Sequence, residues 1–288
     1  MTTLDRSAPS RSPRPARPPH RSHVIADSVT MLQRNLLHMV RYPGLSLFTI
    51  LGPVVLLLLF VFVLGGTLGA GLPGAGSGDA VDGAGGRDAY LAYVMPGILI
   101  VTIAGTAGGT ATTVSMDLAD GITARFRTMA ISRAAVLAGH VLGNTLQGVL
   151  AALLVLGVGL LIGFRPGASP LGWLAVIGLV TLVAFSVSWL GVAMGMQARS
   201  VETASNLPLV LTFLPLLGSG FVPTASLPEG LRVVAELQPF TPFTEGLRAL
   251  LGGTEPGMTL PLSLGWCVVL AVAGYIWSRA LYERRSVR

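Results

Sequence analysis

Lysine is missing altogether: all 19 basic residues in the 288-residue chain are arginine. Without it the chain cannot supply the Gly-x-x-x-x-Gly-Lys loop, whose ammonium group meets the phosphates of ATP, so it carries no recognisable nucleotide-hydrolysing centre. Cysteine is almost missing too, and the lone Cys267 excludes both a disulfide framework and a thiolate metal cluster. The four histidines, His20, His23, His38 and His140, have no ligand spacing and read as non-ligands. Neither His-Glu-x-x-His nor Gly-x-Ser-x-Gly occurs, so no hydrolase centre is legible. Charge is scarce at 11%, against roughly 25% in soluble domains. The middles of the apolar runs hold no Asp, Glu or Arg. A charge there costs at least ~2.5 kcal/mol, which proton-coupled carriers accept to build a relay. Glu202 lies only at the end of a run, and Arg279 can snorkel to an interface. Nothing in the chain is built to convert energy by itself.

What the chain has in excess is apolar surface, 52% of its residues. This composition reads as an all-α integral membrane protein. Its net charge of +6 is spread along the chain rather than gathered in a patch, so no nucleic-acid partner is expected. Residues 1–23 place Arg6, Arg11, Arg14, Arg17 and Arg21 among five prolines. Such a stretch buries too little apolar surface to offset its ordering entropy and reads as a disordered cytosolic tail. It lacks the short apolar core and cleavage site of a signal peptide. Over 24–44, Ile25, Val29, Leu32, Leu36 and Val40 share one helical face, with Asp27, Gln33, Arg34 and Arg41 interrupting or opposing it. That pattern predicts an interfacial amphipathic helix ended by Pro43.

The remainder, 45–288, reads as a transmembrane domain. About 20 mostly apolar residues cross the ~30 Å hydrocarbon layer, and six runs qualify, near 46–66, 91–113, 137–163, 171–194, 201–221 and 262–281. The fifth is interrupted by Glu202, Asn206, Pro208, Thr212 and Pro215. Counting it puts 15 of the 19 arginines on the side of the N-terminus. Arg87, Arg165, Arg232 and Arg248 are then left on the other side; omitting the run would move the arginine-rich C-terminal end across. The positive-inside bias therefore favours six spans with both termini cytoplasmic, in the plasma membrane.

On the outer side, 67–89 is rich in Gly and Asp and reads as a loop. Its Gly69-x-Gly71-x-x-Gly74 follows no strand and contains Pro73, so it is a chance match to the dinucleotide fingerprint. Between spans five and six, Ser226 and Glu229 have capping-box spacing, predicting a short helix to about Gln238. Thr241-Pro242 then predicts a second, with Phe243, Leu247 and Leu250 on one face. Both are expected to rest in the outer membrane surface. Gly105/Gly109, Gly139/Gly143 and Gly191/Gly195 have the spacing that lets helices approach closely, although glycine is abundant in membrane helices anyway.

One polar stretch, Asp117 to Arg133, interrupts the apolar runs. Asp117 and Asp120 precede Gly121, and Arg125, Arg127 and Arg133 follow. If 121–130 is helical, Ile122, Phe126 and Met129 form a short apolar stripe, a docking surface with Phe126 as anchor and Arg125 and Arg127 as charged rim. The same arginines would also serve topology alone. Span two carries Thr102, Thr106, Thr110, Thr112 and Thr113 among small residues, a candidate wall for a mildly polar pathway, with Asn206 and Thr212 facing the same role in span five. The competing reading has the threonines bonded to carbonyls one turn back.

These features together resemble the membrane subunits of type-2 ATP-binding-cassette (ABC) exporters, in particular the daunorubicin-resistance-type drug permeases. The likeness covers nearly everything after residue 24. Arg125-Phe126-Arg127 match the family's loop core, and Pro215, Phe221-Val222-Pro223, Pro228, Pro239 and Arg248 fall where the family has its own prolines and arginine. Ala130 stands where a proline often precedes the Ser-Arg, and Ala124 where an acid commonly precedes the Arg-Phe-Arg. The resemblance implies a homodimer or paired permease served by two cytosolic ATPases, which would bind the ATP and magnesium. The 117–133 loop would couple them to the spans, and a small hydrophobic substrate would leave between the permease copies. Polysaccharide or lipid is the alternative cargo, although a sugar pathway calls for an entrance cluster of aromatics that a 7% aromatic content does not provide. From another class, a membrane enzyme would need an ionisable pair at membrane depth, and a channel would conduct without a partner.

Overall fold

The computed structural model describes residues 43–69, 84–119 and 133–286, with side chains assigned from Leu51, Gly86 and Leu137 onward in each stretch and up to Tyr282. The expected tail 1–23, most of the expected interfacial helix and most of the 67–89 loop lie outside these residues. Among the described residues every regular element is helical.

The first described helix, α1 (Pro43–Leu59), passes through a π-helical stretch, Phe60–Leu64, into the short α2 (Gly65–Gly69). Then come α3 (Ala84–Ala119), α4 (Arg133–Leu161) and α5 (Pro170–Gln197). The helical start at Ala84 means that the last part of the expected loop is already the first turn of α3. At the head of α5, Ser169 supplies the cap: its hydroxyl accepts from the Gly172 N–H at 3.1 Å, and Pro170 occupies the first helical position, where a missing N–H costs nothing.

Among the described residues five helical segments are long and apolar enough to cross a membrane: Leu51–Gly69, Gly86–Ala119, Leu137–Leu161, Pro170–Gln197 and Thr259–Tyr282. The expected run at 201–221 is instead a chain of short pieces: α6 (Val201–Asn206), α7 (Leu209–Phe213) and a 3₁₀ turn, Leu214–Leu217. Pro208 and Pro215 cause the breaks, because neither can donate to the carbonyl four residues back. Beyond a short 3₁₀ turn at Thr224–Ser226 lie α8 (Glu229–Leu237), α9 (Phe240–Gly252) and α10 (Thr259–Ser286).

The caps of the two short helices differ from the sequence expectation. Ser226 bonds back to the Pro223 carbonyl at 2.7 Å, and α8 starts after Pro228 with no side-chain cap. Likewise α9 starts at Phe240, after Pro239 rather than at Thr241-Pro242. Its Phe243, Leu247 and Leu250 are buried, so α9 is driven into the bundle against α3, α5 and α10. Gly253 closes it at φ 72°, a left-handed turn that returns its N–H to the Ala249 and Leu250 carbonyls.

The bundle is organised around α3, which packs on α1, α2, α4, α5, α6, α7 and α9. Its most apolar stretch is 78% buried, whereas those of the first and last spans are 17% buried. Tyr90, Leu91, Met95, Ile98, Leu99, Ile100 and Ile103 are the large side chains that α3 sends into the core. Gly191 and Gly195 of α5 meet Ala107 and Ala111 of α3: a Cβ on Gly195 would sit 2.5 Å from the Ala111 carbonyl oxygen, one on Gly191 3.0 Å from that of Ala107. Two small pairs one turn apart thus let the backbones touch. Gly105 and Gly109 face open space instead.

Candidate functional site

The proposed docking surface depends on residues that join α3 to α4. Asp120, Gly121, Ile122, Arg125, Phe126, Arg127 and Met129 lie outside the described residues, and of Arg133 only its place as the first residue of α4 is described. The structure does describe what these residues are attached to. Asp117, in the last turn of α3, belongs to the helix rather than to the loop, and its carboxylate meets His140 Nε2 of α4 at 3.3 Å. The two side chains are only 12% and 10% exposed. The apolar residues around this end come from four helices: Val114 of α3, Leu137 and Val141 of α4, Val192 and Met196 of α5, and Tyr282 of α10.

One turn deeper on α4, Asn144 donates from Nδ2 to Ser188 Oγ of α5 at 2.8 Å. Ser188 also lies 3.4 Å from the Thr145 hydroxyl and donates to the Ala184 carbonyl. Sequence reasoning missed His140, Asn144 and Ser188. The available signal was the i, i+4 spacing of His140 and Asn144, which sets two polar groups on one face of an otherwise apolar helix. Among the described residues no group of three His, Cys, Asp or Glu side chains is gathered for a metal.

The threonines of α3 have their hydroxyls engaged inside the helix. Thr102 donates to the Ile98 carbonyl, Thr106 to Ile103, Thr110 to Thr106, Thr112 to Gly108 and Thr113 to Gly109, all within 3.3 Å. Thr102, Thr106 and Thr110 are buried, and Thr106 faces Gly148 of α4. Asn206 is exposed and lines an open groove with Glu202, Thr203, Leu207 and Val210. Thr212, half-buried, donates to the Pro208 carbonyl at 3.3 Å. The structure thus separates Asn206 from the three buried threonines by exposure.

At the opposite end the chain after Leu217 runs without regular structure through Gly218–Pro223, and its carbonyls are collected by side chains. Tyr93 donates to the Ser219 carbonyl at 2.9 Å and Tyr90 to that of Phe221 at 3.3 Å. Arg248 of α9 donates from Nη2 to the Ser219 and Tyr93 carbonyls, lies 4.0 Å above the Tyr93 ring, and pairs with Glu245 at 2.7 Å. The backbones of Gly97 and Gly220 meet beneath this cluster, where a Cβ on Gly97 would fall 2.7 Å from Gly220 Cα. One arginine therefore ties α9, α3 and the irregular segment together.

The chain is similar to the daunorubicin resistance ABC transporter permease protein DrrB1 of Streptomyces coeruleorubidus, with 27% identity over 258 residues, 88% of this chain and 86% of that protein. The ABC-2 type transporter family model matches residues 28–251, a span that includes the polar stretch, the Asp117–His140 pair, the broken segment and Arg248. With an all-helical bundle of apolar spans beneath that match, the chain belongs to the ABC-2 type transporter family, as a membrane-embedded permease.

Proposed function

We propose that this permease carries a hydrophobic, drug-like compound out of the cell, driven by a separate cytosolic ABC ATPase that docks on the loop between α3 and α4. The observation that carries the cargo class is the likeness, over most of both chains, to a protein named for daunorubicin resistance. ATP and magnesium would be bound by the ATPase partner, since a chain without lysine has no phosphate loop. The permease would work as a homodimer, with cargo leaving along the interface between copies.

Six crossings fit this reading. Val201 follows α5 by a short turn, at the end where Gly195 abuts Ala111, and Gly220 abuts Gly97. From Ala111 to Gly97 is 14 residues of helix, roughly 21 Å at 1.5 Å per residue. The broken segment α6–α7 therefore travels much of the hydrocarbon thickness beside α3, and it is the fifth of six crossings in our reading. Both termini then lie in the cytoplasm with most of the arginines.

The test of topology uses Asp79→Cys, Asp120→Cys, Glu236→Cys and Arg284→Cys, each in a Cys267→Ala background. Positions 79 and 236 are expected to react with an impermeant thiol reagent in intact cells, and 120 and 284 only after lysis. Labelling of position 284 from outside would remove the fifth crossing, α6–α7. The test of docking is Phe126→Ala, expected to weaken ATPase capture by about 2 kcal/mol, as loss of a buried aromatic anchor does. Undiminished capture would leave the loop a topological element only.

A further inference from the structure

The segment 120–132 leaves α3 and enters α4, and just inside it those two helices are joined by a buried polar contact, the Asp117 carboxylate with His140 Nε2. Apolar packing at this end, through Val114, Leu137, Val141 and Met196, is non-directional and permits one helix to slide on another. A polar contact with both side chains about nine-tenths buried does not, because separating it takes the His140 ring from its carboxylate partner away from water.

The pair belongs to a set. The helix α4 is held to α5 by Asn144 on Ser188. In turn α5 is held to α3 by Gly191 and Gly195 against Ala107 and Ala111. Each of the three possible pairings among α3, α4 and α5 thus has its own register-setting contact in the half of the bundle nearest the loop. We infer that Asp117 and His140 are positioning residues that clamp the two ends of the 120–132 segment, so that a push on it moves α3, α4 and α5 as one lever instead of prising α3 from α4. This rests on the proposal that the segment receives the ATPase.

The far end of that lever is the segment Gly218–Pro223, bonded to α3 through Tyr90 and Tyr93. The experiment therefore reads that end. In the reconstituted permease–ATPase complex, Val222→Cys in a Cys267→Ala background is labelled with an impermeant maleimide, with and without a non-hydrolysable ATP analogue. The nucleotide is expected to change the labelling rate in the parent complex. Asp117→Asn and His140→Leu are each expected to shrink that change by about fivefold, within the range found for residues that modulate coupling, while ATPase capture stays intact. The exchanged pair, Asp117→His with His140→Asp, is expected to restore it.

An unchanged nucleotide response in both single variants would overturn the clamp. So would failure of the exchanged pair to restore a response the single variants had lost, because the loss would then come from local packing. A parent complex that captures ATPase but gives no nucleotide response would also overturn it. Failure of the parent to capture any ATPase would instead sink the docking proposal, and the clamp with it.

Discussion

The second and last spans, α3 and α10, are both long and strongly apolar, yet the apolar stretch of α3 is 78% buried and that of α10 17%. Hydropathy alone does not decide which helix is central. Side-chain size does: α3 carries Ala104, Gly105, Thr106, Ala107, Gly108, Gly109, Thr110 and Ala111 in succession, a surface on which neighbours can close. By contrast, α10 presents Leu262, Leu264, Val268, Val269, Val272, Ile276 and Trp277 outward, and only its other face packs on α5, where Ser186 donates to the Cys267 carbonyl and Gly274 meets Trp189. In hydrocarbon, apolar area gives helices no reason to associate, so close backbone contact and satisfied polar groups take over.

The sharpest way to break this contrast is at the α3–α5 seam. Gly195→Ala puts a methyl group 2.5 Å from a backbone oxygen, which cannot swing aside as a side chain would. Overpacking of this kind costs about 1–3 kcal/mol, and Gly195→Leu is expected to prevent assembly of the bundle. Gly191→Ala, at 3.0 Å, should cost less. Unfolding in mixed micelles measures both, and unaltered stability in Gly195→Ala would mean that small residues do not centre α3.

The next largest effect is expected at Arg248. Replacing it by Met keeps the apolar stem but removes the donor to the Ser219 and Tyr93 carbonyls and the cation over the Tyr93 ring. A hydrogen bond to a charged group is worth about 1.5–3 kcal/mol, and a loss in that range should appear in the same unfolding assay. Arg248→Lys should rescue little, because a point charge cannot reproduce the planar fork whose Nη2 serves both carbonyls while Nη1 holds Glu245. Full rescue by Lys would reduce the site to a charge requirement.

The sequence made the helical character, the five long spans and the membrane family legible, because length and hydropathy are properties of one helix at a time. What it hid are properties of pairs. The spacing of Gly105/Gly109 and Gly191/Gly195 is identical, yet only the second pair meets a neighbouring helix. Ser226 has the spacing of a cap but bonds backward to Pro223, because Pro228 already sets the entry of α8. His140 looked idle because its partner lies 23 positions away, across the segment 120–132. Pro208 and Pro215 were visible as interruptions, but the division of the run into separate short helices and a 3₁₀ turn was not. Of the loop candidates, Asp117 alone has a described side chain; the others rest on sequence.

A smaller effect is expected at Thr106. Its hydroxyl donates to the Ile103 carbonyl of its own helix at 2.7 Å, and the side chain packs near Gly148 with its hydroxyl oxygen closer than its methyl group. Thr106→Val keeps the shape and removes a bond that the backbone does not need, so a change within about 1 kcal/mol is expected, the scale of one neutral hydrogen bond. Transport by the complex should then be retained. A fall in transport without a fall in stability would make Thr106 a pathway residue exposed in another state of the bundle.

The smallest effect is expected on the outward face of α10. Val268, Val269 and Val272 are 63%, 54% and 50% exposed, and an apolar side chain facing acyl chains exchanges one hydrocarbon neighbour for another when it is shortened. Val268→Ala and Val272→Ala should each change stability by less than about 0.5 kcal/mol, as substitutions away from packed features do. The same truncation in the α3 core, at Val94 or Ile98, both wholly buried, would open a cavity and cost several times more. A double variant on α10 therefore measures what surrounds that helix. If it is as silent as proposed, lipid covers α10 and the second permease copy meets the bundle elsewhere. If it dissociates the assembly at unchanged protomer stability, the face is an interface between copies, and the contrast between α3 and α10 becomes one between packing within a chain and packing between chains.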